Sequence, residues 1–171
     1  KTAKDRIDEA YDYYRKEDFE AQQKIKNTAS VPGNVYMIGV WDTVGALGIP
    51  VNWLNNLNPF LHKFHDTKLN ASVKFAYHAI AIDEPRKNFS PTLWDSKAAE
   101  GQTIEQIWFT GSHSDIGGGY RERDLSDITL QWMISKALKQ GLKFKPGYGN
   151  TIKPNPYGYL HDSREGVNML Y

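Results

Sequence analysis

Hydrophobic residues change their spacing several times along this chain, and each change marks a different predicted element. Over residues 4–28, Ile7, Ala10, Tyr11 and Tyr14 fall on one helical face with charged residues between them, which predicts a helix. Pro32 and Gly33 break it. The next run, Val35-Tyr36-Met37-Ile38-Gly39-Val40-Trp41, is short, rich in β-formers and free of charge, the pattern of a buried strand. Asp42-Thr43-Val44-Gly45 turns away from its end.

Residues 51–66 are rich in Trp, Leu, Phe and Asn. Trp53, Leu54, Leu57, Leu61 and Phe64 share one helical face, which Pro59 splits. Residues 71–83 are read as a short apolar helix, and residues 84–93, with Pro85 and Pro91, as loop. Residues 104–109 form a second strand, followed by a Gly-rich loop. Asp124 is placed as the N-cap of a helix that runs to about Gln140 and stops at Gly141, with Asp127 near its positive dipole end. Leu125, Ile128, Trp132 and Met133 form its expected buried stripe. The tail from Lys143 carries Gly147, Gly149, Pro154, Pro156 and Gly158 and is expected to be mostly irregular.

Helix, strand, long insertion, strand and helix in this order suit an α/β sheet with crossover helices. Asp42 and His113 are 71 residues apart. That interval is long for a simple crossover, so residues 43–103 are expected to hold an inserted cap or lid.

Composition narrows the function classes. At 171 residues the chain is one ordinary domain or a large part of one. A mean hydropathy of −0.61 is polar for a free-standing α/β core, so part of the core is expected to come from elsewhere. The net charge of +1 offers no electrostatic case for nucleic acid. The absence of cysteine excludes disulfides, thiolate zinc sites and a Cys nucleophile. No apolar stretch approaches the roughly 20 residues of a membrane span. The charged opening Lys1-Thr2-Ala3-Lys4-Asp5-Arg6 has neither an initiator Met nor the apolar region of a signal peptide, which reads as a processed or truncated piece.

Two residues stand where α/β enzymes keep their chemistry, at the ends of predicted strands. Asp42 closes the first strand, and His113 lies in the loop after the second. An Asp followed by a His in chain order is the second half of a Ser…Asp…His relay, yet no Gly-x-Ser-x-Gly turn occurs in these residues. Glycines in the loop 111–120 let the backbone turn sharply and approach a ligand, and a His there can serve as a general base. The alternatives are a structural His bonding the loop backbone and a turn-initiating Asp that caps the following amides. Asp115 beside His113 gives too few ligands for a metal site. His62, His65 and Asp66 are read as solvated or packing residues, and His78 as a hydrogen-bonded core histidine. His161-Asp162-Ser163 looks like a triad in a row, but neighbouring side chains point in different directions. Gly117-Gly118-Gly119 lacks the Lys-Ser/Thr of a phosphate loop. The aromatic segment 53–64 fits core packing of a cap, or a lipid-contacting lid.

A wider set of residues then falls into order: Gly39-Val40-Trp41-Asp42-Thr43-Val44-Gly45; Ala76-Tyr77-His78-Ala79 with Asp83-Glu84, Phe89 and Pro91-Thr92-Leu93-Trp94; Gln106-Ile107-Trp108-Phe109 through Gly111-Ser112-His113-Ser114-Asp115-Ile116-Gly117-Gly118-Gly119-Tyr120; and Leu125-Ser126-Asp127. This succession resembles the catalytic domain of the type VI secretion phospholipase effector family. The likeness covers most of residues 5–142, and the ordered set is far more specific than any one of its motifs.

The resemblance implies that residues 1–171 are the C-terminal portion of an α/β-hydrolase fold. It implies a Ser-Asp-His triad in which Asp42 matches the Asp and His113 the His. The nucleophile would lie in a Gly-x-Ser-x-Gly elbow upstream of Lys1. Ser112, Ser114, Asp115, Gly117, Gly118 and Gly119 would shape the site around His113. The implied activity is a serine esterase, lipase or phospholipase, with no metal or cofactor. Its substrate would be an ester or phospholipid, and the missing N-terminal half of the fold would be its partner. Membrane surface contact through the cap is a further expectation, and nucleic acid is not. The chain by itself is expected to be inactive. The alternative is a fragment or degenerate copy retained as a binding module. Location stays open between the cytoplasm and secretion as an effector.

Overall fold

The computed structural model describes residues 2–16, 18–28, 33–44 and 68–165. They fall into two compact units, Lys1–Asn34 and Val35–Tyr171. The first unit holds helices α1 (Ala3–Arg15) and α2 (Phe19–Thr28), not the single helix that the spacing predicts. Local capping explains the break. Thr2 and Asp5 close a reciprocal capping box at the start of α1. Asp18 then accepts the Ala21 N–H at 2.9 Å, starting a new helix.

The second unit is built on a three-stranded parallel sheet in the order β1 (Val35–Trp41), β2 (Val73–Ala81), β3 (Thr103–Phe109). The α/β expectation holds at this level, and β1 and β3 lie where the apolar runs predict them. Residues 71–83 are corrected: they carry the middle strand, not a helix. The cause is burial on both faces. From Ala76 to Ala81 every residue of β2 is buried, so no polar alternation marks it as a strand. The interval 43–103 therefore contains a strand of the sheet itself. Residues 53–64, His62, His65 and Asp66 lie outside the described residues.

After β3 come a short helix α3 (His113–Gly117) and the long helix α4 (Asp124–Lys139). On α4, Leu125 and Met133 are buried and Ile128 and Trp132 partly so, close to the predicted stripe. Trp132 stands edge-on to Tyr77 and Phe109, at 6.2 and 5.4 Å between ring centres. It joins Trp41 and Phe109 around a core of Ala79, Ala81 and Ile116. Thr129, fully buried, donates its hydroxyl to the Ile116 carbonyl at 2.7 Å and locks α4 to α3.

Asp124 is not the cap of α4. Arg123 holds that position and Asp124 is the first helical residue. The tail folds over this helix end and bonds to it. Asn155 N–H donates to the Asp124 carbonyl, and Lys153 N–H donates to the Asp127 carboxylate at 2.7 Å. Residues 143–165 carry no helix or strand but are held by such bonds.

Candidate active site

Parallel strands end together, and here all three exits converge at the carboxyl edge of the sheet, where α/β folds bind ligands. Asp42 leaves β1 with φ +39°, the one positive value among described non-glycine residues. Such a conformation is sparsely populated and is kept where surrounding bonds enforce it. Those bonds are present. Asp42 N–H donates to the Ala79 carbonyl at 2.7 Å. Thr43 N–H donates to His78 Nε2 at 3.1 Å. The turn swings the Asp42 side chain over the end of β2, where Oδ1 accepts the Ala81 N–H at 2.8 Å.

His113 opens α3, and its Nδ1 meets Asp42 Oδ2 at 2.7 Å. Asp42 is fully buried, while the His113 side chain is 30% exposed. The carboxylate can only accept, so Nδ1 carries the proton. Nε2 is left without a partner among the described residues, on a side chain that is partly exposed. The Phe89 ring stands edge-on to the imidazole at 5.2 Å, and the Arg86 guanidinium lies 3.6 Å from the Phe89 ring centre.

The backbone of His113 is also held. Its N–H donates to Glu84 Oε2 at 3.1 Å. Glu84, with a side chain only 2% exposed, accepts a two-pronged contact from Arg86 at 2.7 and 3.1 Å and the Ser163 hydroxyl at 2.9 Å. Burial pushes its pKa up, but the bonds from Arg86, His113 and Ser163 outweigh it and hold the carboxyl down to about 2. Next to it, Asp83 Oδ2 accepts the Gly111 N–H at 2.8 Å.

The expected site-shaping loop divides into two parts. Ser112 and Asp115 are buried and face each other: Asp115 Oδ2 accepts both the Ser112 N–H and its hydroxyl. Ser114 is half-buried, and Gly117, Gly118 and Gly119 are exposed at the end of α3. Asp115 pairs with His161 Nδ1 at 2.6 Å, and the imidazole stacks on Tyr120 at 3.7 Å between ring centres. His161, Asp162 and Ser163 take three different partners: Asp115, Arg164 and Glu84. His78 is a buried strand histidine. Its Nε2 accepts from Thr43, its Nδ1 has no partner among the described residues, and burial lowers its pKa, so the ring is neutral.

Sequence reasoning assigned no role to Glu84 or Ser163 and did not connect His78 with Asp42. Two carboxylates, Asp83-Glu84, directly after an apolar run were the available signal for the first. Nothing local marks Ser163, which meets Glu84 across 79 residues.

Residues 1–136 match the model of the family described as T6SS, Phospholipase effector Tle1-like, catalytic domain. The chain belongs to this family. The Tle1-like match contains Asp42, His78, Glu84 and His113 and ends before His161 and Ser163. A Saccharomyces cerevisiae protein named Uncharacterized protein YEL023C is 51% identical over 45 residues, which are 23% of this chain and 7% of the yeast protein. The chain thus spans far less than two thirds of that relative. No solved structure gives a significant match. The family is described as phospholipase effector catalytic domains, and the matched residues include the parallel sheet and the Asp42–His113 contact at its carboxyl edge.

Proposed function

We propose that this Tle1-like chain supplies the acid–base half of a serine phospholipase with an α/β-hydrolase fold. The observation that carries the reading is the 2.7 Å contact between buried Asp42 and partly exposed His113, whose Nε2 has no partner among the described residues. In this reading the nucleophile is the serine of a Gly-x-Ser-x-Gly elbow, a motif not found in this sequence.

His113 Nε2 takes the serine proton as Oγ attacks the ester carbonyl carbon, and the carbonyl electron pair moves to oxygen. The tetrahedral species collapses, and Nε2 returns the proton to the departing alcohol of the lipid. Water, deprotonated by the same nitrogen, then releases the fatty acid from the acyl-enzyme and the proton returns to serine. Asp42 keeps the proton on Nδ1 and stabilises the imidazolium during each transfer. This chemistry uses no metal or cofactor.

The partner of this surface is the preceding part of the same fold. Among the described residues β1 is bonded on one side only, to β2. An apolar groove of about 610 Å³, lined in part by Tyr36, Met37, Gly39, Trp41 and Met133, runs beside it. An additional strand with its helix fits this edge, and covering it protects an otherwise open strand. The family supports a phospholipid substrate and secretion as an effector. No described helix is long and apolar enough to cross a membrane.

The test is hydrolysis of phosphatidylcholine and short-chain esters by the complete protein, with fluorophosphonate labelling. His113→Ala is expected to lower kcat by at least ~10³-fold. Turnover by this variant at the parental rate, or no labelled serine in an active parent, would overturn the reading.

A further inference from the structure

The element that carries His113 is bonded by two buried carboxylates, Glu84 from outside it and Asp115 from its own first turn, and the tail beyond the family-matched region bonds both. On one side Glu84 accepts the His113 N–H at 3.1 Å. On the other, Asp115 accepts the N–H and hydroxyl of Ser112, the residue before the base, at 3.0 and 2.9 Å. The Ser163 hydroxyl donates to Glu84 at 2.9 Å. His161 gives Asp115 both its backbone N–H, at 3.2 Å, and its Nδ1, at 2.6 Å. Its ring is wedged between Tyr120, stacked at 3.7 Å, and Tyr159, edge-on at 4.7 Å. Ser163 is buried, although the residues around it form no helix or strand.

We propose that Glu84 is a positioning residue for His113, and that His161 and Ser163 form a two-point strap that fixes the base through Glu84 and Asp115. This rests on His113 being the general base.

The chemistry favours a positioning role over a passive one. Glu84 touches neither the His113 imidazole nor Asp42, so it cannot take part in the proton relay. It fixes the backbone from which the imidazole hangs, and its other oxygen is occupied by Arg86 and Ser163. Arg86 also packs on Phe89, whose ring is in T-shaped contact with the His113 imidazole. A glutamate bonded in this way fixes the position of one backbone nitrogen. Misplacing a reacting group by about 1 Å costs on the order of 10²-fold in rate. Loss of one hydrogen bond to a charged group corresponds to roughly 10-fold or more.

The experiment uses the complete protein with Ser163→Ala, Ser163→Thr, Glu84→Gln and His113→Ala, each compared with the parent. Steady-state kinetics on phosphatidylcholine micelles give kcat and KM. Proton NMR of protein with ¹⁵N-labelled histidine follows the low-field resonance of the proton between His113 and Asp42. Ser163→Ala is expected to lower kcat about 10-fold with KM unchanged and to broaden that resonance by faster exchange with water. Ser163→Thr, which keeps the hydroxyl, restores both. Glu84→Gln is expected to lower kcat by up to about 10²-fold. If His113→Ala is inactive while Ser163→Ala and Glu84→Gln keep parental kcat and an unaltered resonance, the strap is refuted and the hydrolase reading stands. If His113→Ala stays active, the hydrolase reading fails and the strap, which rests on it, falls with it. Should Glu84→Gln fail to fold, the Ser163 pair still decides.

Discussion

Replacing Asp42 with Asn tests the relay without changing its shape. Asp42 Oδ1 accepts the Ala81 N–H at 2.8 Å, so an Asn must keep its carbonyl oxygen there. Its amide then faces His113 Nδ1, which is 2.7 Å from the present Oδ2. An amide N–H needs an acceptor, so Nδ1 must give up its proton and Nε2 must carry it. The base is then blocked at the nitrogen that has to receive the serine proton. The expected loss in kcat is about 10⁴-fold, or about 5 kcal/mol at 1.36 kcal/mol per decade. Folding should suffer little. The fully buried carboxylate loses one charge-assisted bond but also the cost of keeping an anion out of water, so the net change is about 1 kcal/mol. The assay pairs hydrolysis of phosphatidylcholine and a short-chain ester with a thermal melt of the complete protein. A folded Asp42→Asn variant within ten-fold of parental kcat, or one whose loss appears only in KM, would refute the tautomer argument.

Three further outcomes follow from the geometry. Gly111 has φ +139°, and a β-carbon there would lie 2.6 Å from Asp115 Cβ, so Gly111→Ala should destabilise the fold by about 1–3 kcal/mol, read as a lower melting temperature. Glu84 titrates lower in the folded protein than its ordinary value of 4.5, so its stabilisation is fully present above that pH and is lost as pH falls toward about 2. Acid unfolding followed by circular dichroism should therefore be shallower between those limits in Glu84→Gln, and an unchanged slope would count against the assigned bonds. Thr129→Val removes the 2.7 Å bond to the Ile116 carbonyl and leaves a buried acceptor, which should cost about 1–3 kcal/mol in denaturant titration.

Much of this site was legible in the residues themselves. β1 and β3 were marked by apolar runs, and the turns after them by Asp42 and by Gly111 just before His113. What was missed has physical causes. β2 is buried on both faces, so its side chains lost the alternation that distinguishes a strand. Its misreading also hid the role of His78, whose link to Thr43 depends on lying next to β1 in the sheet. The single helix expected over 4–28 failed because Asp18 offered a competing cap. Glu84 and Ser163 are far apart in the chain and meet only through the tail's path across the sheet edge. The neighbours His161, Asp162 and Ser163 were rightly denied a relay of their own, since each turns to a different partner.

The middle strand has a mechanical consequence. Asp42 is fastened to β2 through Ala79 and Ala81, and Thr43 through His78. The loop that carries His113 is fastened to the exit of the same strand through Ile82, Asp83 and Glu84. Neither side of the Asp42–His113 pair is anchored to its own strand alone. β2 is thus a shared anchor: both residues are referenced to one strand, and a substitution that distorts its exit is expected to disturb both ends of the pair at once. In the proposed relay, the contacts of β2 leave the alignment of an incoming nucleophile as the coordinate they do not themselves fix.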